Sequence, residues 1–200
     1  MNPWALLLSF APWLILKIIS DLPFGNPLTM LQIAIVTATL VSLYQSRKST
    51  VKGFIYWGNL FFFALSLLLV VILPQTWFIT KMGLFSQLML NFITWGSILF
   101  KKPFTLDYAK EHVPQELWNH PVFLQKNYII TGVWGCYFLL GFLSAEIRIY
   151  EPGINRGLIE IFDNVAMLGA VFFTSFYSKH KKVPRGNLGG GEAGSSQPKD

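Results

Sequence analysis

Three groups of residues in this sequence have the types and spacing to do chemistry. The first is charged and lies in apolar surroundings. Lys17 precedes Asp21 by four residues, Glu146 precedes Arg148 by two, and Glu160, Asp163 and Asn164 follow at i, i+3 and i+4. That last spacing places three polar side chains on one helical face. Ionisable groups are costly in hydrocarbon, so such a cluster either closes a helical bundle as a ring of ion pairs or lines a polar cavity for a small solute or proton. Lys17 with Asp163 is the pair expected to meet, because both lie deeper in their apolar segments than their charged neighbours.

The second group is an amide stripe. Gln87 and Asn91 are one helical turn apart, Thr94 and Trp95 continue the stripe, and Asn59 is placed to face them. Amides between membrane helices serve as packing glue worth about 0.6 kcal/mol each, or as a solute-binding stripe.

The third group is the long polar stretch at 101–127, KKPFTLDYAKEHVPQELWNHPVFLQKN. His112 and His120 are eight residues apart, with Asp107, Glu111 and Glu116 nearby. Neither a helical HExxH nor a close His/Cys pair is present, and no G-x-S-x-G or glycine-rich phosphate loop occurs. No catalytic residues, cofactor or metal are expected. The stretch reads better as an interfacial elbow whose Tyr108, Glu111, His112, Trp118 and His120 could dock a partner. Phe104 to Val113 suits a short helix in the headgroup region, with Thr105 near its cap. Pro114 and Pro121 each restart the chain, and the last piece can run straight into the next span.

The elements that carry these groups follow from composition. Of all residues 52% are hydrophobic and only 13% charged, against about a quarter charged in soluble domains. Apolar runs near 20 residues recur, each able to cross a core about 30 Å thick. Continuous runs, rather than short alternating ones, select helices over a barrel. The expectation is an all-α polytopic bundle of six transmembrane helices, at about 3–20, 27–44, 54–73, 82–100, 127–147 and 158–178. Asn2-Pro3 and Asn26-Pro27 mark two of the starts.

Basic residues orient the bundle. Arg47, Lys48, Lys52, Lys101, Lys102, Lys110, Lys126, Lys179, Lys181, Lys182 and Arg185 fall on one side, whereas Lys81, Arg148 and Arg156 fall in the loops of the other. The positive-inside rule then makes both termini and the 101–127 loop cytoplasmic. The net charge of +6 describes loops facing anionic lipid, not nucleic-acid binding. No charged n-region with a cleavage site precedes the first run, so no removable signal peptide is expected. Cys136 is the single cysteine, which excludes a disulfide framework. Residues 1–182 form the expected membrane domain, and the Gly/Ser-rich 183–200 an expected disordered tail.

Two local features add detail. Trp57-Gly58, Trp95-Gly96 and Trp134-Gly135 recur near one end of three spans, which reads as an aromatic belt with small neighbours. Pro12 removes a hydrogen bond to the carbonyl of Leu8 and should bend the first helix.

Several stretches resemble the bacterial intracellular septation protein A family. They are FAPWLILK at 10–17, IAIVTATLV at 33–41 with a basic turn after it, WFITK at 77–81, ILFKK at 98–102, and an ELW…N…W…F run into span five. The chain departs at Lys81-Met82-Gly83, where the family has Lys-Pro-Thr, and in a longer loop. The resemblance implies a multi-span inner-membrane protein tied to envelope integrity and division, with no family catalytic residues. The function expected is therefore non-enzymatic, a structural or interaction component of a bacterial inner membrane. Its partners would be the lipid bilayer, other envelope membrane proteins and, since short helical hairpins readily self-assemble, copies of itself. A small-solute or proton transporter is the alternative. A lipid-acting membrane enzyme, relying on Glu111/His112 or His120, is the third.

Overall fold

A computed structural model describes residues 8–23, 25–48, 53–111, 113–151 and 153–180. These are helical, and no strand occurs among them. In chain order the helices are α1 (Ala11–Ser20), α2 (Pro27–Lys48), α3 (Phe54–Ser66), α4 (Thr76–Thr80), α5 (Met82–Leu99), α6 (Thr105–Glu111), α7 (Pro121–Tyr150) and α8 (Arg156–His180). A wider-wound π segment, Leu67–Ile72, extends α3, and a 3₁₀ turn, Gln115–Leu117, precedes α7.

Five helices are long and apolar enough to cross a membrane: α2, α3 with its extension, α5, α7 and α8. The first expected span is shorter within the described residues. Its 10 residues rise only about 15 Å, roughly half a hydrocarbon core. At the other extreme, the 30 residues of α7 rise about 45 Å, so the piece begun by Pro121 does run unbroken into the fifth span. The 183–200 tail lies outside the described residues.

Pro12 acts where expected: Leu8 and Ser9 are helical, the helix breaks at Phe10, and α1 restarts at Ala11. The proline sits in the first turn of α1, where its missing N–H costs no helical bond. The carbonyl of Leu8, which a residue-12 N–H would have met, accepts instead from Gln45 Nε2 on α2 at 2.7 Å. The interruption is thus closed by a neighbouring helix, as backbone in lipid requires.

The core is aromatic. Phe10 stacks on Trp134 at 5.2 Å and meets the Phe104 edge at 5.6 Å, while Trp13 stacks on Phe62 at 4.7 Å. The Phe10–Trp13 segment therefore plugs the space between α3, α7 and the start of the polar loop. Glycine allows close approach at defined points. A Cβ on Gly58 would lie 2.5 Å from Ile93 of α5. One on Gly135 would lie 2.9 Å from the Trp95 ring, whereas one on Gly96 would meet nothing within 4 Å. Trp57 and Trp95 are exposed, as an aromatic belt requires, but Trp134 is only 3% exposed. Its indole donates to Thr174 Oγ1 of α8 at 3.1 Å. Burial of the ring between α1 and α8 takes it out of the belt.

α8 lies at the edge, packed mainly against α7, and turns Leu158, Ile161, Val165, Leu168 and Phe172 outward.

Candidate functional site

The candidate polar residues that the structure describes fall mainly at four contacts between elements of the bundle. The first lies at the proline interruption. Trp13 Nε1 donates to Asn59 Oδ1 at 2.7 Å, and Asn59 Nδ2 donates to the Ser9 carbonyl at 3.2 Å. Asn59 is 1% exposed. It faces the broken start of α1, and does not complete a stripe with Gln87 and Asn91 as the sequence suggests. Asn59 meets the backbone at the helix break instead, because the Trp13 N–H bonds the Phe10 carbonyl and not that of Ser9.

The second place is the α5–α7 seam. Asn91 Nδ2 donates to the Phe138 carbonyl at 2.8 Å and to the Gln87 carbonyl at 2.9 Å, while Asn91 Oδ1 accepts from Trp95 Nε1 at 3.2 Å. Gln87 is set one turn away as expected, packed on Gly141, where a Cβ would come within 2.9 Å of its amide. Its Oε1 is buried without a hydrogen-bond partner. The pair is a helix clamp with one unsatisfied acceptor.

The third place joins α7 to α8. Asp163 pairs with Arg148 and accepts from Ser144 Oγ at 2.7 Å. The expected Lys17–Asp163 pair does not form. Lys17 Nζ instead holds Asp21 at 3.2 Å, with both side chains largely exposed. Glu146 stands apart, half-buried on α7. The face expected to unite Glu160, Asp163 and Asn164 is divided, because Asp163 turns to α7 while Glu160 and Asn164 are exposed. A hairpin explains this. Ser144 lies six residues before the end of α7 and Asp163 seven after the start of α8, so antiparallel packing brings these two level, and the Arg148 side chain reaches back one turn to join them. Mirrored spacing about that turn was the available signal for Ser144.

The fourth is the polar loop, which folds back on the bundle. Phe104, Leu106 and Ala109 are buried; Leu106 and Ala109 pack with Phe123 of α7, and Phe104 joins the main core against Phe10. Thr105 Oγ1 reaches across to α7, donating to the Asn127 carbonyl at 3.0 Å and lying 2.8 Å from Thr131 Oγ1. α6 therefore rests on protein rather than on headgroups alone. Asp107 sits on the backbone of Gly53 at the start of α3, where a Cβ would fall 1.6 Å from its carboxylate. His120 Nδ1 accepts from the Val122 N–H at 3.3 Å, capping α7. Trp118 Nε1 donates to the Val113 carbonyl at 3.1 Å, and Lys110 lies over the Trp118 ring. His112 lies outside the described residues, as do the side chains of Tyr108 and Glu111. Among the described residues no group of acids, histidines and cysteine is gathered to hold a metal ion.

Sequence reasoning missed two further bonds. Gln32 Nε2 donates to the Val70 carbonyl in the π segment at 3.3 Å, because the wider winding leaves carbonyls turned out of the helix. Lys126 Nζ donates to the Ser178 carbonyl at 2.6 Å, a cation placed on the negative end of α8.

No family model, curated protein or solved structure matches this chain.

Proposed function

We propose that the chain is a non-enzymatic, multi-span protein of a bacterial inner membrane, acting as a structural or interaction component of the envelope. One observation supports this reading above the others: the polar side chains of the candidate clusters tie helix to helix. Asn59 joins α3 to α1, Asn91 joins α5 to α7, and Asp163 joins α8 to α7. A transport pathway needs such groups to face a water-filled route across the bundle. A catalytic centre needs an acid or base free to reach substrate, whereas His120 is bonded to backbone. Both termini and the 101–127 loop are assigned to the cytoplasm by the distribution of lysine and arginine. The exposed loop tip, with Glu116 and Asn119, is then the surface offered to envelope partners.

Proteoliposome flux is the test. Purified full-length protein should pass neither protons nor small ions under an imposed gradient. Flux that Asp163→Asn abolishes would instead establish the transporter reading, which the part-exposed Arg148–Asp163 pair favours.

A further inference from the structure

A groove of about 450 Å³ runs along the outside of the bundle between α3 and α5. Its walls are Phe54 and Trp57 from α3 and Met89 and Phe92 from α5, with Lys102 at one end. The floor is where Gly58 lets α3 close on Ile93. The opening faces outward, since Trp57 and Phe92 are 60% and 66% exposed. That volume lies in the usual range for small-molecule sites, about 300–1,000 Å³.

The cationic end is held in place. α5 terminates in a Schellman turn, with the Lys101 N–H bonded to the Ile98 carbonyl and the Lys102 N–H bonded to the Ser97 carbonyl, at 3.0 and 2.8 Å. Lys101 occupies the left-handed position, at φ 57°, and is the one non-glycine residue with positive φ among the described residues. Glycine ordinarily fills that position because a Cβ is strained there. Ser97 Oγ also accepts the Phe104 N–H at 3.0 Å, fixing the chain beyond the turn. The turn thus fixes the backbone of Lys102 at the groove mouth, with Lys101 before it in the chain; both lysines are exposed, and neither has an acidic partner among the described residues. The acid at this end, Asp107, is packed on Gly53 at the start of α3.

We propose that this groove is a binding site for one anionic phospholipid of the surrounding bilayer. An acyl chain lies along Phe54, Trp57, Met89 and Phe92, and the phosphate meets the Lys102 ammonium with Lys101 beside it. Charge complementarity selects the headgroup, because juxtamembrane lysines attract anionic lipid. A tryptophan ring at headgroup depth suits the same boundary. This inference requires only that α3 and α5 cross a bilayer, and stands apart from the cellular role proposed above.

Titration of the detergent-purified full chain with lipids carrying brominated acyl chains tests it through quenching of tryptophan emission. Phosphatidylglycerol should quench at about five-fold lower concentration than phosphatidylcholine of the same chains. Trp57→Phe should remove the part of the quenching that distinguishes the two lipids, leaving the part that the exposed Trp77 and Trp95 share between them. Lys102→Gln should bring the two lipids together, and Lys102→Arg should retain the preference. Equal midpoints for both lipids in the unsubstituted protein, a headgroup preference in the quenching that survives Trp57→Phe, or a preference unchanged in Lys102→Gln would each overturn the proposal.

Discussion

Asn59 and Gln87 show how differently two buried amides can act. Asn59 uses both ends of its side chain, on the Trp13 indole and the Ser9 carbonyl. Asn59→Leu strands both, and leaving buried groups unpaired costs about 1–3 kcal/mol. Gln87 has a buried oxygen with no partner, so Gln87→Met keeps the shape and removes an unsatisfied acceptor. Thermal unfolding in detergent should show a clear loss for the first and no loss, or a slight gain, for the second. Equal losses would mean that size, and not hydrogen bonding, sets stability at these positions. Sequence spacing located both residues but put them in one stripe. One partner of Asn59 is the Ser9 carbonyl, 50 residues earlier at a break in the helix, and one-dimensional spacing holds no record of that meeting.

Between elements, glycine and charge set how helices approach. A Cβ at Gly58 would enter Ile93, so Gly58→Ala should cost about 1–3 kcal/mol by overpacking. Gly96 carries the same Trp-Gly signature, yet faces open space. Gly96→Ala should therefore lose nothing and gain up to about 1 kcal/mol from helix propensity. The two variants compared in one unfolding assay would separate a packing glycine from an incidental one. The α7–α8 hairpin offers a second check. Arg148→Gln, Asp163→Asn and the double variant should show a coupling on the order of 1 kcal/mol, modest because both side chains are part-exposed. The corresponding cycle for Lys17 and Asp163 should show none. Depth along a segment pointed to Lys17, but connectivity decided the matter, since the antiparallel hairpin sets Asp163 level with Ser144 and within reach of the Arg148 side chain one turn away.

For the molecule as a whole, the direction of the helices makes one prediction about sidedness. Single cysteines at Gln75 and Gly153, in a Cys136→Ser background, should react with a membrane-impermeant thiol reagent added to one side of the membrane. Cysteines at Gln115 and Asn119 should react from the other side only. Labelling of all four from one face would break the alternating arrangement. Helical class and the long apolar spans were legible in the sequence, because hydrocarbon demands continuous apolar helices whatever their neighbours. The short α1, the break at Pro12 and the folded-back α6 belong to tertiary structure. There a freed carbonyl, a mirrored charge or a buried phenylalanine finds its partner far along the chain. Sequence alone therefore determined which segments can lie in a bilayer and which end of the bundle is basic, since both depend on local composition. Which polar groups clamp helices together, and which lysine comes to stand at an apolar groove, was decided only by the fold, since those contacts depend on three-dimensional packing.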